Sequence, residues 1–434
     1  MHSVTAALRM VCLLLALWAT GAKADVDDST DLFLTFNQPT MRNTSLFPYH
    51  QSISAWYETF LKIALQRKAF PVDGYADESD FAPIFQELQA RYPNQKVVDI
   101  GDNQWAELFV TKGQELAGIA DDLVFNNSAQ DGIKYYLAAN LFRLAYFPWI
   151  HEETSTATAK QLAWKMDKRA FRKAIDLMDD IDFAKAYATV GGDEDHNIPL
   201  RIFRPKDYEG PMSVVIIITG LDHYHTYTLN HILELTSIGI SVVVVPMPGT
   251  ADSPITGRDE LAKEKYWTAI VDWIEYNSEL FDRDCINLWG ISTGSYWAVL
   301  ASRAERWRLK RVVSQGTASH YTFTRSWLEA AENLAYPASL QRALGQAFGY
   351  PDAEAFKKDV EQFSLLTQGV LDQDGAPLIA INGEKDTIFP IDDQRILAEH
   401  GPGAQLRWFP HVGHNGEPMS SAWLSQFWAE NGAC

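Results

Sequence analysis

Hydrophobic positions recur at three- and four-residue spacing through 51–70, 105–125, 129–146 and 155–178, the period of amphipathic helices. Pro71, Gly74, Pro93 and Pro148 punctuate these stretches. From Ile181 the period changes to two. Residues 183–190 and 198–204 alternate as strands about Gly191-Gly192-Asp193-Glu194-Asp195, a hairpin signal. Continuous apolar runs follow at 214–218, 240–245, 286–288, 312–313 and 378–381, the pattern of parallel strands buried on both faces. Helical patterns at 227–237, 260–276, 296–303 and 392–400 lie between or after them, and a strand at 406–409 and a helix at 420–428 close the chain. Strand and helix alternating after an antiparallel hairpin predict an α/β fold: an open, mostly parallel sheet with helices on both faces. One connection stands out. Residues 317–350, rich in Trp, Tyr, Phe and Leu, precede a predicted helix near 356–366 and are too long for an ordinary link, so they predict a lid over a site.

The apolar run 286–288 leads into Gly290-Ile291-Ser292-Thr293-Gly294, and a helical segment follows at once. Strand, sharp turn and helix around Gly-x-Ser-x-Gly form a nucleophile elbow, with Ser292 at its tip. A serine hydroxyl needs a base, and the base needs an orienting acid. The chain supplies both in the order serine, acid, histidine, with Asp386 after the strand at 378–381 and His414 after the strand at 406–409. Glu384 and His411 stand close by as alternatives. The strand ending at Val313 runs into Ser314-Gln315-Gly316, with no carboxylate to serve as the acid. For an oxyanion, the candidate donors are the amides of Thr293, at the helix start, and of Leu221, in Thr219-Gly220-Leu221-Asp222 after the first parallel strand. Asp222 reads either as a brace for that loop or as a solvated turn residue. His223 and His225, with His231 nearby, lack the carboxylates or cysteines of a metal site and read as pocket-lining or ordinary loop histidines.

Composition narrows the setting. The chain of 434 residues carries a formal charge of −19, which disfavours nucleic acid and anionic lipid as partners. Its 14 Trp, 17 Tyr and 22 Phe suffice for a large core and an aromatic pocket. The cluster Tyr135, Tyr136, Phe142, Tyr146, Phe147 and Trp149 reads as helix packing before it reads as a ligand box. Arg9, the apolar run 10–19 and Ala22-Lys23-Ala24 read as a secretory signal cleaved after residue 24, with an uncleaved anchor as the lesser alternative. Sequons at Asn43 and Asn126 fit passage through the secretory pathway. Of three cysteines, Cys12 leaves with the signal; Cys285 and Cys434 are expected at the same sheet edge, either joined or as two free thiols.

With these residues placed, the second half resembles an α/β-hydrolase. More closely, it is similar to fungal pigment hydrolases that shorten polyketides and to bacterial esterases of the fermentation-respiration-switch type. The residues that carry the likeness are 218–222, Met247-Pro248-Gly249-Thr250, 289–294, Ser319-His320-Tyr321, 382–390 and Gly413-His414-Asn415-Gly416. The signal read at 1–24 is not expected from the resemblance, which covers a helical cap region at 25–180 and a hydrolase domain at 181–434 with its lid insertion. The resemblance implies no cofactor, a small phenolic polyketide as substrate, and Asp222, His223, His320 and Tyr321 as pocket candidates. Cleavage would fall on a carbon–carbon bond beside a ketone, or on an ester. A second reading from another class is a non-catalytic binder that steers oxidative coupling of a phenolic polyketide by a secreted laccase. A homodimer is compatible with either.

Overall fold

In a computed structural model, the described residues are 47–72, 76–125, 131–150, 158–401 and 403–434. The signal segment, Asn43 and Asn126 lie outside them. Eight strands form one sheet in the order β1-β2-β4-β3-β5-β6-β7-β8. They are β1 (Ile181–Thr189), β2 (Asn197–Pro205), β3 (Met212–Ile218), β4 (Ser241–Val245), β5 (Phe281–Ile291), β6 (Leu309–Gln315), β7 (Leu378–Gly383) and β8 (Gln405–Phe409). The hairpin β1–β2 joins β4 antiparallel, and every other pairing is parallel. This is the α/β-hydrolase architecture. Its consequence is chemical: parallel strands bring their C-terminal ends, and the loops that follow, to one edge.

Side-chain alternation along the central strands divides the core in two. Val214, Ile216 and Ile218 pack with Trp267, Trp297 and the 317–350 insertion on one face. Val215 and Ile217 pack with the N-terminal helices on the other. Those helices include Glu78–Arg91, Asp102–Phe125, Asp131–Tyr146 and Thr158–Asp176. They share a continuous core with the sheet, so the cap region also supplies one of the sheet's covering layers. Tyr135, Tyr136, Phe142, Tyr146 and Phe147 are buried there, as helix packing requires, while Trp149 joins the core of the other face.

The helix Glu78–Arg91 was not anticipated, because Pro83 interrupts its pattern; the proline is its sixth residue, beyond the first turn, and withholds one intrahelical amide. The helix expected near 356–366 instead spans Ala353–Asp359 and passes into a tighter turn at Val360–Phe363. Asp352 sets its start by accepting from the Ala355 amide at 2.8 Å. The insertion itself is folded. Helices Arg325–Ala331 and Leu340–Ala347 bury Phe323, Trp327 and Phe348 against the helix that follows the elbow. Carbonyls of its crossing segment, Ala335 and Pro337, accept from the Tyr49 hydroxyl and the Trp56 indole, both at 2.8 Å. Cys285, within β5, is joined to Cys434 at the end of the chain by a disulfide.

Candidate active site

Ser292 follows β5 with φ of 55°, the left-handed region that a serine occupies only under constraint. The surroundings supply that constraint. Its amide donates to the Gln315 carbonyl at 2.8 Å, and its own carbonyl accepts from Ser295 at 2.8 Å. A Cβ on Gly290 would lie 2.4 Å from the Gly294 carbonyl oxygen, and one on Gly294 would lie 2.5 Å from that of Ile218. Both glycines are therefore required for strand and helix to close around the serine.

From the ends of β7 and β8 come the acid and the imidazole. His414 Nε2 is 2.8 Å from Ser292 Oγ, and His414 Nδ1 is 2.8 Å from Asp386 Oδ2. Asp386 is fully buried and accepts from the Asn382 side chain at 2.7 Å and the Ile388 amide at 2.8 Å. Each donor occupies a lone pair of the carboxylate and fixes its plane toward the imidazole. The edge of the Phe389 ring packs against the imidazole, with centroids 5.2 Å apart. Glu384 and His411 are not brought to the serine: the Glu384 carboxylate takes the His411 amide at 3.3 Å, and His411 is exposed.

Several positioning groups carried no recognisable sequence signal. Gln315, buried at the end of β6, donates to the Asn415 carbonyl at 3.0 Å and accepts from the Trp289 indole at 2.9 Å. It thus ties the histidine loop to the elbow strand. Gly316 (φ 70°) lets that loop approach, since a Cβ there would sit 2.1 Å from Asn415 Oδ1. The Ser295 hydroxyl donates to the Gly316 carbonyl at 3.0 Å and accepts from the Ala318 amide at 3.3 Å. It stitches the elbow helix to the start of the insertion. Only the folded chain shows these residues to be neighbours.

The loop after β3 lies directly on the nucleophile: a Cβ at Gly220 would be 3.1 Å from both Ser292 Cβ and the Ile291 carbonyl oxygen. Leu221, next in the chain, and Thr293, beside the serine, are both buried. Asp222 is buried as well and is not a solvated turn residue. Burial pushes its carboxyl up to about 6, tempered by the Tyr336 hydroxyl and by His414. One of its oxygens, Oδ2, makes no hydrogen bond. Tyr336 belongs to the insertion, which approaches Asp222 through this residue. His223 is buried between Phe70 and Tyr227, with ring centroids at 6.2 and 4.2 Å, and burial holds it neutral. His320 and Tyr321 belong to a different turn, organised by the buried Asp393. That carboxylate accepts the His320 amide at 2.8 Å and the Thr322 amide at 3.0 Å, while the His320 ring bonds Ser364 at 2.7 Å.

The profile of FrsA-like esterases matches residues 113–415, more than half of the chain and all three residues of the hydrogen-bonded chain. The protein belongs to the FrsA-like esterase family. Among curated proteins no relative matches it. Solved structures similar to this FrsA-like protein include 2,6-dihydroxy-pseudo-oxynicotine hydrolase, at 18% identity and TM-score 0.61, covering 82% of this chain and 93% of that one. AbyA5 is similar at 17% identity and TM-score 0.59, covering 80% of this chain and 94% of that one. At such identities the likeness is one of fold. It shows the α/β-hydrolase fold, and its coverage extends over the N-terminal helices.

Proposed function

We propose that this FrsA-like protein is a secreted serine hydrolase that cleaves a carbon–carbon or ester bond in a phenolic polyketide. The observation that supports this best is the unbroken chain Ser292–His414–Asp386, with both hydrogen bonds at 2.8 Å. His414 removes the serine proton as Ser292 attacks a carbonyl, and Asp386 holds the imidazole in the tautomer that accepts at Nε2. The amides of Leu221 and Thr293 receive the oxyanion. His414 then protonates the leaving enolate, phenolate or alkoxide, and water releases the short acid from the acyl-serine. Phe70, His223 and Tyr227 pack ring against ring next to the Gly220-Leu221 segment, an aromatic cluster compatible with a phenolic substrate. Asp222, within the field of His414, offers a hydroxylated ring a polar anchor, with Tyr336 beside it.

The experiment is complementation read by mass spectrometry. The native gene is deleted, wild type or Ser292→Ala is restored, and metabolites are compared together with their chirality. Ser292→Ala behaving as the deletion supports acyl transfer, and the accumulating precursor identifies the substrate. Normal products from Ser292→Ala would reverse the reading in favour of a binder that steers a partner laccase.

A further inference from the structure

Away from the serine, the helix Thr158–Asp176 and the β1–β2 hairpin enclose an open cleft of about 590 Å³. Seven cationic side chains line it, against one carboxylate, Asp252, in a protein whose formal charge is −19. On the helix, Lys165, Lys168, Arg169, Arg172 and Lys173 repeat at three- and four-residue spacing, which places them along one face over roughly 12 Å. On the hairpin, Lys185 stands directly across from Arg201 in the antiparallel register. Like charges in both arrangements oppose folding.

The protein compensates this only in part. Asp252 takes Lys168 at 2.8 Å and Arg201 at 3.4 Å, Asp176 takes Arg172 at 2.7 Å, and Asp121 takes Lys173. Arg201 is only 6% exposed, yet its Nε and Nη1 make no hydrogen bond. A buried guanidinium with two idle donors, facing an unneutralised lysine, is an arrangement that a bound anion would complete. Lys185 shows the same tension: partial burial, then the charges of Arg201, Arg172 and Lys168, hold its pKa below the usual lysine value.

We propose that this cleft binds a small polyanion bearing linked phosphates, a di- or triphosphate group. The length of the cationic stripe argues for linked groups, since a single phosphate spans only a fraction of it. The site is independent of the chemistry at Ser292.

The test uses inorganic tripolyphosphate on the full mature protein, with sodium sulfate at matched ionic strength and phosphatidylserine vesicles as comparators. Tripolyphosphate is expected to bind and to raise the melting temperature, and sulfate to do neither. Lys185→Glu places opposite charges across the strand pair. It is therefore expected to raise the melting temperature in the absence of anion while weakening tripolyphosphate roughly tenfold or more. Lys310→Glu, an exposed reversal on β6 outside the cleft, is expected to leave the affinity unchanged. Gain of stability with loss of binding supports the site, because a solvated basic face would show neither in combination. The proposal is overturned if wild type does not bind tripolyphosphate, if sulfate matches its effect, or if Lys185→Glu binds as wild type does. Binding to the vesicles without binding to tripolyphosphate also overturns it, in favour of a lipid surface.

Discussion

At the residue scale, Ser292 and Asp222 make separable predictions. Ser292→Ala removes the oxygen placed 2.8 Å from His414 Nε2, so turnover should fall by roughly 10⁴-fold or more with the melting temperature little changed. Covalent labelling by a fluorophosphonate should vanish with it; labelling that persists would locate the nucleophile elsewhere. Asp222 is read through proton linkage. Its folded pKa, about 6, lies above its ordinary 3.8, so the native state binds more protons than the unfolded state between those values. Wild type therefore loses stability through this group as pH rises from about 4 to 6, and the loss is complete above that window. Asp222→Asn does not titrate. Its stability relative to wild type should climb across the same window, by at most roughly 3 kcal/mol, and then level off. Denaturant melts at pH 4, 5, 6 and 7 check this, and a constant difference would contradict it. That Ser292, Asp386 and His414 would meet at one sheet edge was legible here, because Gly-x-Ser-x-Gly and the two loop motifs are local strings. That Asp222 is buried beside His414 was not, since its burial depends on Tyr336, 114 positions onward in the chain.

At the scale of elements, the elbow and the histidine loop depend on close backbone approach. Gly294→Ala would put a methyl 2.5 Å from the Ile218 carbonyl oxygen and 2.6 Å from that of Thr219. Both are main-chain atoms of a central strand and its loop, which cannot step aside cheaply. A loss of about 3 kcal/mol is expected in chemical denaturation, together with loss of activity. Gln315→Met keeps the volume but removes the donor to the Asn415 carbonyl and the acceptor for Trp289. If Gln315 positions the histidine loop, kcat should fall about tenfold with KM nearly unchanged. An equal change in both constants would make the role purely structural. The elements were visible in advance wherever a hydrophobic period ran unbroken. They were missed or shifted where a proline interrupted the period, as at Pro83, or where a capping Asp moved a start, as at Asp352.

At the scale of the molecule, the N-terminal helices and the insertion cover opposite faces of one sheet. The two are also tied to each other, through Tyr49 and Trp56 at Ala335 and Pro337. Buried polar contacts pin the helices to the loop after β3. Tyr146 and Thr226 both donate to Asp167 at 2.7 Å, and Arg143 donates to the Thr226 carbonyl at 2.9 Å. The helical region thus steadies the segment that carries Leu221 and Asp222. At the opposite edge, the Cys285–Cys434 disulfide closes a span of 149 positions and fastens the final helix to β5. Cys434→Ser should cost up to about 5 kcal/mol in the chain-entropy account and steepen the denaturant dependence. An unchanged melting curve under oxidising conditions would show the bridge to be dispensable.

The sequence by itself determined the fold class, the elbow and the order serine, acid, histidine. Hydrophobic period and turn chemistry act over a few residues, and the topology of a parallel sheet then carries the strand ends to one edge. The sequence favoured Asp386 over Glu384 and His414 over His411, and the tertiary structure brings the favoured pair to Ser292; it alone decided between a disulfide and two thiols. It also decided that the N-terminal helices share the sheet's core, that Gln315 and Ser295 fasten the loops, and that seven cations meet in one cleft. Each of these rests on burial, distance or charge between groups far apart in the chain, quantities that come into being only when the chain folds.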